Sequence, residues 1–96
     1  MLRLMTVCGS GLGTSFMVEM NIQTILKELG VENKVSVAHT DLGSASSGQA
    51  DVWICGKDLE NSVQHLGEVK ILNSIIDIEE LRQAVKDILK EKKIIE

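Results

Sequence analysis

Cys8-Gly9-Ser10-Gly11-Leu12-Gly13-Thr14-Ser15 is the stretch of this chain whose residue types and spacing are suited to chemistry. Glycines at alternate positions let a backbone turn tightly and aim successive N–H groups into one concavity. A helix following such a turn adds unpaired N–H groups and the positive end of its dipole, which together suit a phosphoryl group. A thiol at the edge of that cradle is expected to ionise more readily, because the same dipoles favour the thiolate. Cys8 could then attack phosphorus, with Gly9, Ser10, Gly11, Leu12, Gly13, Thr14 and Ser15 binding the phosphoryl oxygens. Two plainer readings stand beside this one: a tight turn without a ligand, and a small buried cysteine closing a strand.

The loop departs from better-known phosphate motifs. No Lys follows the glycines, so it is not a Walker loop, and the third glycine of a dinucleotide fingerprint would fall at Thr14. Cysteine phosphatases use Cys-x5-Arg, the arginine clamping phosphate through two parallel hydrogen bonds. Here the sixth residue after Cys8 is Thr14, and no arginine lies between Arg3 and Arg82. A cradle without that clamp can accept and release a phosphoryl group but is poorly equipped to stabilise attack by water. This favours transfer over hydrolysis. A small cysteine phosphatase and a non-catalytic anion-binding domain remain the alternatives.

The surrounding pattern says what must hold the loop. Leu2–Val7 reads as a strand ending at Cys8-Gly9. A helix is expected over Thr14–Leu29, its stripe Val18, Ile22, Ile25, Leu26 and Leu29 following a 3.6-residue period, with Gly30 at its C-terminal stop. Lys34–His39, Ala50–Cys55 and Val69–Leu72 read as three more strands. Thr40–Gly48 is a loop or a weak short helix. Asp58–Leu66 is expected to be a short helix capped by Asp58. Asp77 and Glu80 resemble a capping box opening a last helix, with stripe Ile78, Leu81, Val85, Ile88 and Leu89. The charged tail Lys90–Glu96 is expected to fray. This alternation predicts an α/β fold, an open four-stranded parallel sheet with helices on both faces, in one domain spanning residues 1–96. Ligands then bind at the carboxyl ends of the strands, the rim where Cys8, His39, Cys55 and Asn73 emerge.

Composition narrows the partners. The 96 residues carry 10 Lys+Arg against 14 Asp+Glu, a net charge of −4, and the excess of acid lies in residues 31–68. There is no basic stripe, and one Phe, one Trp and no Tyr leave few stacking platforms, so nucleic acid is not an expected partner. No apolar run approaches the roughly 18 residues of a membrane span, and Met1–Cys8 is too short for a signal peptide, so a cytoplasmic location without membrane insertion is expected. Cys8 and Cys55 form no CxxC or Cys/His cluster, and neither a metal nor another cofactor is called for. His39 reads as a rim histidine with a local hydrogen bond, or else as a phosphate-orienting group. His65 reads as a solvated or dipole partner, and Asp41, Asp58 and Asp77 as turn and cap residues. Cys55 is a buried inert thiol or, less simply, a bridge partner for Cys8. Phe16, Met17 and Met20 lie off the main apolar stripe and are either a second core face or a docking surface.

The loop Cys8–Ser15, followed by Met17-Val18-Glu19-Met20-Asn21-Ile22, resembles the cytoplasmic IIB components of bacterial sugar phosphotransferase systems, the ascorbate and galactitol type in particular. The similarity extends over nearly the whole chain. It implies a Rossmann-like sheet akin to that of low-molecular-weight tyrosine phosphatases, with phosphorylation on Cys8. The donor so implied is a phosphohistidine on a IIA protein. The acceptor is a sugar held by a membrane IIC protein, with L-ascorbate the branch-level implication and galactitol or another sugar the alternatives. Some relatives carry an acidic residue or alanine where this chain has Gly9. Two in-line displacements at phosphorus would follow, the first with no general base required on this chain.

Overall fold

A computed structural model describes residues 1–9 and 13–95, and the side chains within the first helix from Phe16 onward. Ser10, Gly11 and Leu12 of the expected cradle lie outside the described residues, as do the side chains of Thr14 and Ser15. Four parallel strands, β1 (Leu2–Cys8), β2 (Val35–Asp41), β3 (Val52–Gly56) and β4 (Val69–Leu72), form one sheet in the order β2-β1-β3-β4. Among the described residues there are two α-helices, α1 (Gly13–Glu28) and α2 (Ile78–Glu91). The α/β fold with a four-stranded parallel sheet is as expected.

Strand alternation divides the interior in two. Leu4, Val52, Ile54 and Leu72 meet Val18, Ile22, Ile25 and Leu26 of α1 and Leu81, Val85, Ile88 and Leu89 of α2 in the larger apolar cluster. Both α-helices therefore cover one face. Val7, Trp53 and Cys55 point to the other face, where Ala50, Val63 and Leu66 close a smaller cluster. Among the described residues, helical cover on that side comes from short 3-10 turns at Leu42–Ser44, Lys57–Ser62 and Gln64–Leu66. All five residues of β3 are buried, as a strand covered on both faces requires.

Helix ends explain the chain's reversals. Gly30 has φ +72°, its N–H bonds to the Lys27 carbonyl and that of Val31 to Leu26, a Schellman stop that buries Val31. Asp77 caps α2 by accepting from the N–H groups of Glu79 and Glu80 at 3.0 and 3.2 Å. The reciprocal half of the expected box is absent. Glu80 instead accepts from the N–H groups of Asn73 (2.6 Å) and Ser74 (2.8 Å), tying the end of β4 to α2. Ile78, part of the expected stripe, is exposed, and Ala84 takes up that face.

Three further expectations are corrected. Lys57–Ser62 and Gln64–Leu66 are two 3-10 segments, not one helix, and Asp58 is not a cap, since Gly56 holds the N-cap position without any side-chain bond. The tail is docked. Lys93 adopts φ +60° at the end of α2, the N–H of Ile94 donates to the Leu89 carbonyl at 2.8 Å, and Ile94 and Ile95 pack on the larger cluster. Their apolar side chains outweigh the charge that suggested fraying. Finally, β2 runs two residues past His39, to Asp41, because pairing with β1 continues to Cys8.

Candidate functional site

Cys8 is the last residue of β1, a strand flanked by β2 and β3. From β1 the chain crosses to β2 on one side, and from β3 to β4 on the other. The carboxyl ends of β1 and β3 therefore diverge at a topological switch point, where open α/β sheets leave a crevice. A cavity of about 230 Å³ opens there, lined by Val7, Cys8 and Gly9 from β1, Gly56, Asp58 and Leu59 from the end of β3, and Ile75 after β4. Cys8 is 7% exposed and belongs to neither apolar cluster. It is buried, and it lines the cavity.

Close backbone approach shapes this wall. A Cβ on Gly9 would lie 3.2 Å from Leu59 Cδ2, tight enough to press on the opposite wall. A Cβ on Gly56 would lie 2.7 Å from Asp58 Oδ1 and 3.3 Å from Ile75 Cγ2, so glycine leaves room there for the carboxylate. Gly56, Leu59 and Ile75 were not singled out from the sequence, and Asp58 was read there only as a cap. They come from separate strand ends, and only the strand order brings them beside Cys8.

The other rim candidates separate. Cys55 is 1% exposed within the smaller cluster, and alternation puts it on the face opposite Cys8, which rules out a bridge between them; both are thiols. Burial, then the charges of Asp58 and Glu60, pushes the Cys55 thiol up to about 11. It stays protonated and inert near neutrality. His39 makes the expected local hydrogen bond, from Nδ1 to Glu19 Oε1, and its ring lies 5.3 Å from that of Phe16. It joins β2 to the start of α1 and does not line the cavity. Asn73 is exposed and bonded through its N–H to Glu80, and His65 is exposed at the end of its short turn. Asp41 begins the Leu42–Ser44 turn without a side-chain capping bond.

Both arginines are engaged away from the cavity. Arg3 pairs with Asp51 at the amino end of the sheet, and Arg82 with Glu28 and Glu79. Among the described residues, then, no guanidinium serves as a phosphate clamp, and no group of three or more His, Cys, Asp or Glu side chains could hold a metal ion. Phe16, Met17 and Met20 are 47%, 43% and 51% exposed, so they form a surface on the first turns of α1 and not a second core. None of the helices among the described residues is long and apolar enough to cross a membrane.

Comparison with known proteins agrees with this architecture. The chain is 28% identical over 90 residues to the ascorbate-specific PTS system EIIB component of Mycoplasma pneumoniae, covering 92% of this chain and 95% of that one. The lactose-specific IIB component domain of the phosphoenolpyruvate:carbohydrate phosphotransferase system from Streptococcus pneumoniae has the same fold. It matches with a TM-score of 0.59 at 16% identity, over 93% of this chain and 95% of that one. The family model described as "PTS system, Lactose/Cellobiose specific IIB subunit" matches residues 3–94. The resemblance read from the loop is thereby extended over the whole fold: this chain belongs to the PTS IIB family and is a phosphotransferase component of a sugar phosphotransferase system.

Proposed function

We propose that Cys8 is the covalent phosphoryl acceptor of this IIB component. It takes the group from phosphohistidine on a IIA protein and passes it to a carbohydrate bound by a membrane IIC protein. The observation that carries this reading is the position of Cys8, on the wall of the switch-point cavity and outside both apolar clusters. In the first displacement the sulfur attacks phosphorus and histidine leaves as imidazole. Gly9 and the loop Ser10, Gly11, Leu12, Gly13, Thr14 and Ser15 receive the oxygens, with the dipole of α1 behind them. In the second, a hydroxyl of the sugar displaces the thiolate. The missing guanidinium leaves water without a stabilised transition state, which keeps the phosphocysteine for the sugar. The exposed Phe16, Met17 and Met20 border the helix end that carries the loop, and they supply adaptable apolar contact for IIA or IIC.

L-ascorbate is the proposed sugar, on the strength of the 28%-identical ascorbate-specific relative; galactitol and other sugars are the competing substrates. Membrane vesicles holding the IIC protein, supplied with phosphorylated IIA and this chain, should convert ascorbate to its phosphate faster than galactitol or lactose. Preference for another sugar would overturn the ascorbate assignment alone. Rapid release of inorganic phosphate without any sugar would return the phosphatase reading.

A further inference from the structure

Asp58 has lost the capping role its sequence position suggested, and it lines the cavity that holds Cys8. Among the described residues it has no hydrogen-bond partner. The register of β1 with β3 pairs Thr6 with Ile54; two steps further along each strand are Cys8 and Gly56, both in the cavity wall. Cys8 and Gly56 are thus neighbours across the strands, on the same face of the sheet. Asp58 Oδ1 lies 2.7 Å from where a Cβ on Gly56 would stand. The carboxylate therefore fills the side-chain space of the residue next to the thiol.

We propose that Asp58 relays the thiol proton to the leaving imidazole during phosphorylation of Cys8, an inference that rests on Cys8 being the phosphoryl acceptor. The proton on sulfur passes to an Asp58 carboxylate oxygen as the S–P bond forms. The P–N bond breaks, its electron pair stays on the imidazole nitrogen, and Asp58 delivers the proton there. Thiol and phosphohistidine become phosphocysteine and neutral histidine, and the carboxylate is regenerated. An aspartate carboxylate is a weaker base than a thiolate, so proton transfer must accompany attack and not precede it. The first step thus has a base on this chain after all.

The test compares two reactions of one sulfur. Transfer from phosphohistidine-bearing IIA needs a proton delivered to the leaving nitrogen; alkylation by iodoacetamide does not. Asp58→Asn should slow single-turnover transfer tenfold or more, in line with roughly 10²–10⁴-fold for general acid–base groups, while alkylation of Cys8 proceeds at least as fast as in the wild type. Asp58→Glu should recover part of the transfer rate. Gly56→Ala, whose φ of −80° suits alanine, places a methyl group against Asp58 Oδ1 and should show the same split. Transfer slowed less than tenfold in Asp58→Asn, or transfer and alkylation falling together, would overturn the relay. If the wild-type chain gains no phosphate from IIA, the reading of Cys8 fails first, and that result is separable from a failure of Asp58 alone.

Discussion

The two cysteines show how far the same residue type diverges with its place in one sheet. Cys8 borders a cavity, whereas Cys55, three residues before Asp58, is sealed among Val7, Trp53, Val63 and Leu66. An unfolded chain ionises Cys55 near its ordinary value of 9.0, and the folded chain only near 11. Its contribution to stability is therefore complete below pH 9 and is lost as the pH rises toward 11. By pH 11 this costs on the order of 2 kcal/mol. Cys55→Ala should flatten the fall in stability between pH 9 and 11, measured by urea unfolding at several pH values with Trp53 fluorescence as the reporter. A slope equal to that of the wild type would contradict this account of Cys55. At this scale the sequence offers Cys8 as a candidate because it and its glycines are contiguous, whereas the cavity it lines comes only with the fold. Asp58 was misread because an acid near the start of a short helical stretch ordinarily caps it; the backbone had already used Gly56 for that position.

Elements were easiest to read where periodicity and stop signals coincided. α1 ends one residue before its expected limit because Gly30 supplies the left-handed turn, and Val69–Leu72 is the fourth strand as expected. The end of α2 was missed because Lys93 holds the corresponding left-handed position, where a lysine gives no sign of a stop. That conformation costs an L-residue roughly 1 kcal/mol or more. Lys93→Gly should accordingly raise stability by about 1 kcal/mol in denaturant unfolding, and no gain would argue against the docked tail. At the other end of α2, Asp77→Ala removes an acceptor for two N–H groups and should cost about 1 kcal/mol in the same assay. A change within error would show that Asp77 does not hold that end.

At the scale of the whole molecule, fold class followed from strand–helix alternation, but strand order did not. Several orders of four parallel strands satisfy the same alternation, and the observed β2-β1-β3-β4 is what puts the ends of β1 and β3 on either side of one cavity. Placement of both α-helices on one face was equally hidden, since the short turns over the other face have too few residues to show a helical period. The consequence is functional. The face covered by α1 and α2 anchors the helix that follows β1 in the chain, while the face under the 3-10 turns contributes Leu59 to the cavity. Intact-protein mass spectrometry after incubation with phosphorylated IIA tests the central claim most directly. The account predicts a gain of one phosphoryl group in the wild-type chain and in Cys55→Ala, and none in Cys8→Ser. A Cys8→Ser chain that still gains the phosphoryl group would contradict it.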